Sequence, residues 1–191
     1  MKWDIMDLYL PWKNYITETL NNHELPLWDP FINSGFAQMS DPGTWYPVSW
    51  IIGFLMRYDV TAVHIEYLLH LYIAGIGFYK VAEYFSFSRK TRLILSSAFM
   101  LAGFFISNAQ HLGWLVGTAW FTWSLYFFLG SLSNPNKTTA IKLGLTLFLM
   151  LSGGYAGIFI VSGYVLFGFF VYNMFLLLAK KQYIIIRKWL G

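Results

Sequence analysis

Four runs of side chains with few charges, 61 to 86, 93 to 110, 114 to 131 and 155 to 179, decide most of what this chain can become. A helix needs about 20 apolar residues to cross the hydrocarbon core of a bilayer, and each run meets or approaches that length. A shorter fifth run, 139 to 152, ends at Gly153 and Gly154. Only 12% of the 191 residues are charged and 57% are hydrophobic, whereas a typical soluble domain carries about 25% charged residues. The expected fold class is therefore all-α: a polytopic bundle of about five transmembrane helices over 61–191, behind an N-terminal segment, 1–60, of a different kind. Membrane lipids are the expected surroundings and no nucleic acid partner is expected. With no cysteine in the chain, disulfides and thiolate metal sites are excluded.

Charge is unevenly divided. Residues 1 to 60 hold seven Asp/Glu against Lys2, Lys13 and Arg57, whereas residues 61 to 191 hold ten Lys/Arg against only Glu66 and Glu83. The basic residues cluster between the runs, at Arg89, Lys90 and Arg92, at Lys137 and Lys142, and at Lys180, Lys181, Arg187 and Lys188. Cytoplasmic loops are enriched in Lys and Arg, which puts these clusters and the C-terminus inside and residues 1–60 outside the cytoplasm. The connections 108 to 114 and 153 to 157 then fall on the outer side, and five helices alternate without conflict. No basic stretch followed by an apolar core opens the chain, so no signal peptide is expected.

The outer segment has its own pattern. Leu8, Trp12, Tyr15, Ile16 and Leu20 recur at helical spacing with Pro11 suited to a first turn, which predicts a short interfacial helix. Residues 25 to 47 contain four of the six prolines and read as an ordered loop. Trp45 to Met56 is an apolar helix too short to span, with Trp45, Tyr46 and Trp50 suited to the headgroup layer. Asp59 or Thr61 can cap the first full span.

Several stretches resemble the first external loop of YfhO-type bacterial membrane proteins: Asp-Ile-x-x-x-Tyr-x-Pro-Trp (4 to 12), Leu-Pro-Leu-Trp-Asp-Pro-Phe-Ile (25 to 32), Ser-Gly-Phe (34 to 36) and Tyr-Pro (46 and 47). Downstream, residues 70 to 79, 102 to 107, His111 and Ala119-Trp120 are similar to the next two spans of that family and their outer turn. The resemblance implies a glycosyltransferase of the GT-C architecture in a bacterial inner or plasma membrane. Such an enzyme moves a sugar from a polyprenyl-phosphate donor to a cell-envelope polymer or lipid acceptor. It implies Asp4 as the catalytic carboxylate with Asp7 in support, since a fixed Asp can take the acceptor hydroxyl's proton. Lys13, Arg57 and His111 are the expected neighbours of the donor phosphate, and Trp28, Asp29, Glu66 and His70 complete the substrate-binding candidates. No metal ligand set and no cofactor are expected, with a divalent ion left open.

The chain departs from the family pattern in three places. Asp29 stands where an Asn is usual, Gly-Gly-Tyr-Ala-Gly (153 to 157) replaces a His-containing turn, and only three residues precede Asp4. The family begins with a membrane helix ahead of that Asp and continues past residue 191, so the chain is expected to be a fragment of a larger enzyme and to be inactive alone. Other readings stay open beside this one. Asp4 and Asp7 can be solvated charges, Glu66 and His70 a structural pair on one helix face, and the tryptophans membrane anchors. Lys80 and Glu83 are expected to snorkel to the interface. Asn136-Lys137-Thr138 fits a glycosylation acceptor but lies on the expected cytoplasmic side. A non-catalytic membrane scaffold or a transporter-like lipid- or glycan-binding protein is the alternative to an enzyme.

Overall fold

The computed structural model describes residues 4–179. All of its regular elements are helices apart from one isolated bridge between Asp29 and Phe36. The basic cluster at Lys180, Lys181, Arg187 and Lys188 lies outside the described residues.

A single π-helical turn, Ile5–Tyr9, runs into helix α1 (Leu10–Asn21) with Pro11 in its first turn, where the missing N–H costs no hydrogen bond. The following loop turns through left-handed backbone at His23, Asn33, Ser34 and Gly35 and then forms two short 3₁₀ turns, Gln38–Ser40 and Pro42–Trp45. Pro47 starts α2 (Pro47–Leu55). Asp59 caps α3 (Val60–Tyr84): its Oδ1 accepts from the backbone N–H of Thr61 at 2.8 Å and of Ala62 at 3.1 Å. The bond from Ala62, with that from Thr61, holds the Asp59 carboxyl below its ordinary pKa.

The second apolar run divides. Ser88 caps α4 (Arg89–Met100), the chain turns extended at Ala102, and α5 (Gly103–Ser107) follows. The break swings Phe105 inward, where it lies edge-on to Phe99 at 5.6 Å and packs with Leu71, Ala74, Leu115 and Ala119. Helix α6 (Leu112–Ser133) packs along α3 through small residues, with Gly77 meeting Thr122 and Trp123. Asn136 caps α7 (Lys137–Gly153), and α8 (Ala156–Ala179) begins after the turn at Gly154 and Tyr155. Four stretches are long and apolar enough to cross a membrane: α3, α4 with α5, α6 and α8. At 17 residues, α7 is shorter than these.

The N-terminal segment does not stand apart from the helices. Ile5, Tyr46, Ile52 and Tyr58 share one buried cluster with Ala62, Val63, Leu112, Val116 and Leu149, which belong to α3, α6 and α7. Burying Tyr46 and Tyr58 completely against the bundle fixes residues 4 to 59 over the start of α3.

Candidate functional site

Two polar constellations and a cavity lie where the N-terminal segment meets the bundle. The first is buried. Lys13 of α1 extends its ammonium beneath α2, donating to Glu66 Oε1 at 2.5 Å and to Ser49 Oγ at 2.9 Å. Ser49 and Tyr58 also donate to the Glu66 carboxylate, so three residues, from α1, α2 and the connection to α3, converge on one buried acid. The rings of Tyr46 and Tyr58 each lie 5.7 Å from the ammonium, close enough for cation–π attraction.

His70, one turn further along α3, faces the same interior. Its Nδ1 lies 2.7 Å from the Glu66 backbone carbonyl, which can only accept, so Nδ1 carries the proton and Nε2 accepts. Tyr46 fits that assignment: its hydroxyl lies 2.5 Å from His70 Nε2 and receives the indole N–H of Trp120 at 2.8 Å. The side chains of Glu66 and His70 thus reach out to different partners rather than to each other. Burial, reinforced by the Glu66 charge, pushes the Tyr46 and Tyr58 hydroxyls above their ordinary pKa.

The second constellation is half-exposed. Asp4 Oδ2 lies 2.7 Å from His111 Nδ1, across 107 residues of sequence. Gln110 Nε2 approaches His111 Nε2 at 3.2 Å, which leaves Nδ1 as the atom that donates to Asp4. The imidazole stacks on Trp114 with centroids 4.6 Å apart, and Trp114 in turn meets Tyr155 from the α7–α8 turn. That turn is tied back to α6 by the Tyr155 N–H donating to the Gly113 carbonyl at 3.0 Å. A carboxylate accepting from a ring stacked on one face and held at both nitrogens has a set direction, the requirement for a group that takes a proton from a bound hydroxyl.

Beside this pair, bounded by Tyr9, Gly113 and Tyr155, a cavity of about 440 Å³ runs under Trp12, Gln38 and Asp41 to the end of α7. Burial raises the pKa of the Tyr9 hydroxyl, and the Asp4 and Asp41 carboxylates raise it further, so it stays protonated.

The remaining residues singled out from the sequence are dispersed. Asp7 is exposed and faces a larger, more open cleft of about 700 Å³ with Asp29 and Arg57. Arg57, with 77% of its side chain exposed, meets Glu18 at 3.5 Å. Asp29 is buried, and its Oδ1 accepts the Phe31 N–H at 2.8 Å while its backbone pairs with Phe36. Trp28 lies against Gly35, whose φ of +117° and lack of a Cβ admit the indole. Lys80 and Arg92 both pair with Glu83. Among the described residues no group of three or more His, Asp or Glu could hold a metal ion.

Ser49, Tyr58, Gln38 and Ser152 do not stand out in the sequence. Tyr46 stands out as half of a Tyr-Pro pair and as a headgroup-layer aromatic, and Trp120 through the family resemblance; Ser49, whose partners Lys13 and Glu66 lie on other helices, carries no local signal.

Comparison with protein-family models, with curated proteins and with solved structures gives no match. The four helices long and apolar enough to cross a bilayer make this a membrane protein.

Proposed function

We propose that this chain is a multi-pass membrane glycosyltransferase component with residues 1–60 on the extracytoplasmic face, α7 as a fifth membrane helix, and the C-terminus in the cytoplasm. It takes a sugar from a polyprenyl-phosphate donor and passes it to an envelope polymer or lipid. The observation that carries the reading is the pairing of Asp4 with His111. The family resemblance selected these two residues independently, one as catalytic carboxylate and one as a neighbour of the donor phosphate.

In this reading the acceptor hydroxyl gives its proton to Asp4 as its oxygen attacks the anomeric carbon. The bond from that carbon to the donor phosphate breaks, and its electron pair leaves with the polyprenyl phosphate. His111, donating through Nδ1, orients the carboxylate and moderates its charge. Asp7 and Arg57 lie at the neighbouring cleft and belong to substrate approach. Lys13 is engaged with Glu66 and holds the segment in place.

The test uses membrane vesicles carrying the complete reading frame that contains this chain, supplied with a radiolabelled polyprenyl-phosphate sugar. Removing a positioned base lowers the rate by about 10² to 10⁴, so Asp4→Asn should nearly abolish incorporation while leaving expression and insertion unchanged. Asp29→Asn should keep activity, because an amide oxygen can accept the Phe31 N–H as the carboxylate does. Equal incorporation by Asp4→Asn and an active, unsubstituted parent enzyme would favour a non-catalytic glycan-binding scaffold.

A further inference from the structure

Two buried side-chain atoms among the described residues find no hydrogen-bond partner, Gln38 Oε1 and Ser152 Oγ, and both residues line the 440 Å³ cavity beside Asp4 and His111. Buried polar groups in folded proteins are nearly always paired, and an unpaired one is destabilising. Gln38 belongs to the first 3₁₀ turn and Ser152 to the last turn of α7, so they come from opposite ends of the chain to one space.

The orientation of Gln38 is set by its neighbours. The Thr44 hydroxyl donates to the Gln38 backbone carbonyl at 2.7 Å, so its oxygen accepts from Gln38 Nε2 at 2.8 Å. The amide therefore cannot turn over, and Oε1 is held as an acceptor without a donor. Ser152 could have bonded to the preceding turn of its own helix, as serines in apolar helices do. It does not, and Gly153 beside it lies flush on the Tyr46 ring, which holds the end of α7 against the wall.

The rest of the lining defines what would satisfy these atoms. Trp12, Tyr9 and Tyr155 supply flat apolar faces, and the Trp12 ring is seated on Gly43. Asp41 adds a carboxylate whose Oδ1 caps the second 3₁₀ turn. The cation among the lining residues, Lys13, is neutralised by Glu66. A phosphate or other anion finds no counter-charge there. A neutral molecule with several hydroxyl donors and an apolar face fits, in a volume within the roughly 300–1,000 Å³ of small-molecule sites.

We propose that this cavity is a binding site for a neutral pyranoside ring, with Trp12 as the face it lies against and with Gln38 Oε1 and Ser152 Oγ, both sealed behind the cavity wall, reached by its hydroxyls as the ring enters. The choice of a sugar among neutral polyols rests on the transferase reading above. The need for a neutral, donor-rich ligand does not.

The test is ligand-observed NMR on the purified chain in lipid nanodiscs. The probes are the methyl glycosides of glucose, galactose, mannose and N-acetylglucosamine, with glucose 1-phosphate as the anionic comparison. Saturation transfer to at least one methyl glycoside, and weaker transfer to glucose 1-phosphate, is expected. Ser152→Ala and Gln38→Met should each weaken that binding by about 2- to 12-fold, the factor supplied by one net hydrogen bond. Ser152→Ala should at the same time melt no lower than the parent, because the hydroxyl it removes has no protein partner to lose. A ligand-reading hydroxyl and a structural one are separated by that combination. Displacement of the methyl glycoside by a polyprenyl-phosphate sugar assigns the ring to the donor, and lack of displacement assigns it to the acceptor. No transfer to any glycoside, preference for the phosphate, or unchanged binding in both variants would overturn the site. Asp4→Asn should bind the glycoside as the parent does, so loss of transfer chemistry and loss of this site are told apart.

Discussion

Lys13→Met should be among the most damaging single substitutions available outside the long helices. The ammonium is buried 2.5 Å from a fully buried carboxylate. At an effective dielectric constant near 20 their attraction is roughly 7 kcal/mol. Much of that is offset by the desolvation of two ions, which is why removing one partner of such a pair costs about 3–5 kcal/mol and not the full Coulomb energy. Methionine fills the space of the lysine stem, so lost packing contributes little. What remains is a buried Glu66 carboxylate supported only by Ser49 and Tyr58. For a chain of this size each kcal/mol moves the melting midpoint by about 2–4 °C, so the expected drop is about 6–20 °C. The assay is thermal unfolding in detergent, followed by tryptophan emission. Glu66→Gln should also destabilise, by stranding the ammonium. The double substitution, which removes both charges and keeps an oxygen for Ser49 and Tyr58, should be less damaging than the sum of the two. Single variants within about 2 °C of the parent, or strictly additive effects, would refute the claim that this pair holds the segment to α3.

Two further outcomes follow from the same interface and from the charge pattern. Tyr46 and Tyr58 have raised pKa values in the folded chain, so the folded state keeps protons that the unfolded chain releases above about pH 10. Stability should therefore be level through neutral pH and fall above that point by up to about 1.4 kcal/mol per pH unit for each tyrosine, and Tyr58→Phe should make the fall shallower in alkaline melts. The absence of cysteine makes topology directly testable: an impermeant thiol reagent on intact cells should label Ser40→Cys, placed on an exposed loop position, and should leave Lys90→Cys untouched. The opposite labelling would invert the proposed orientation.

The long helices were legible because a membrane span is a matter of length and apolarity, which a run of residues carries by itself. The cap of α3 was legible as Asp59 or Thr61, and α2 as an apolar helix over 45–56 that in the structure runs Pro47–Leu55, since both are settled by chemistry within a few residues. The break between α4 and α5 was not. No proline marks it, and its cause is the burial of Phe105 against Phe99, Leu115 and Ala119. Of the site, Asp4 and His111 could be singled out separately, but their contact could not, being closed by the packing of the first turn against the start of α6. Lys13 illustrates the limit best. The sequence offers it as a neighbour of the donor phosphate, and only the fold shows that Ser49, Tyr58 and Glu66 converge on it from as far as 53 residues away.

That same separation orders events during synthesis. Lys13 leaves the ribosome 53 residues before Glu66, so the first of the two charges is already waiting when α3 is presented to the bilayer. An ionised side chain within a span costs a few kcal/mol on insertion scales, and α3 carries its acid at the seventh residue, about 9 Å below its first turn. The earlier-made helix α1 can supply the counter-ion as α3 enters, so the segment outside the bundle acts as an insertion partner for the first long span. A chain deprived of α1 would therefore be expected to misplace α3 before any question of activity arises.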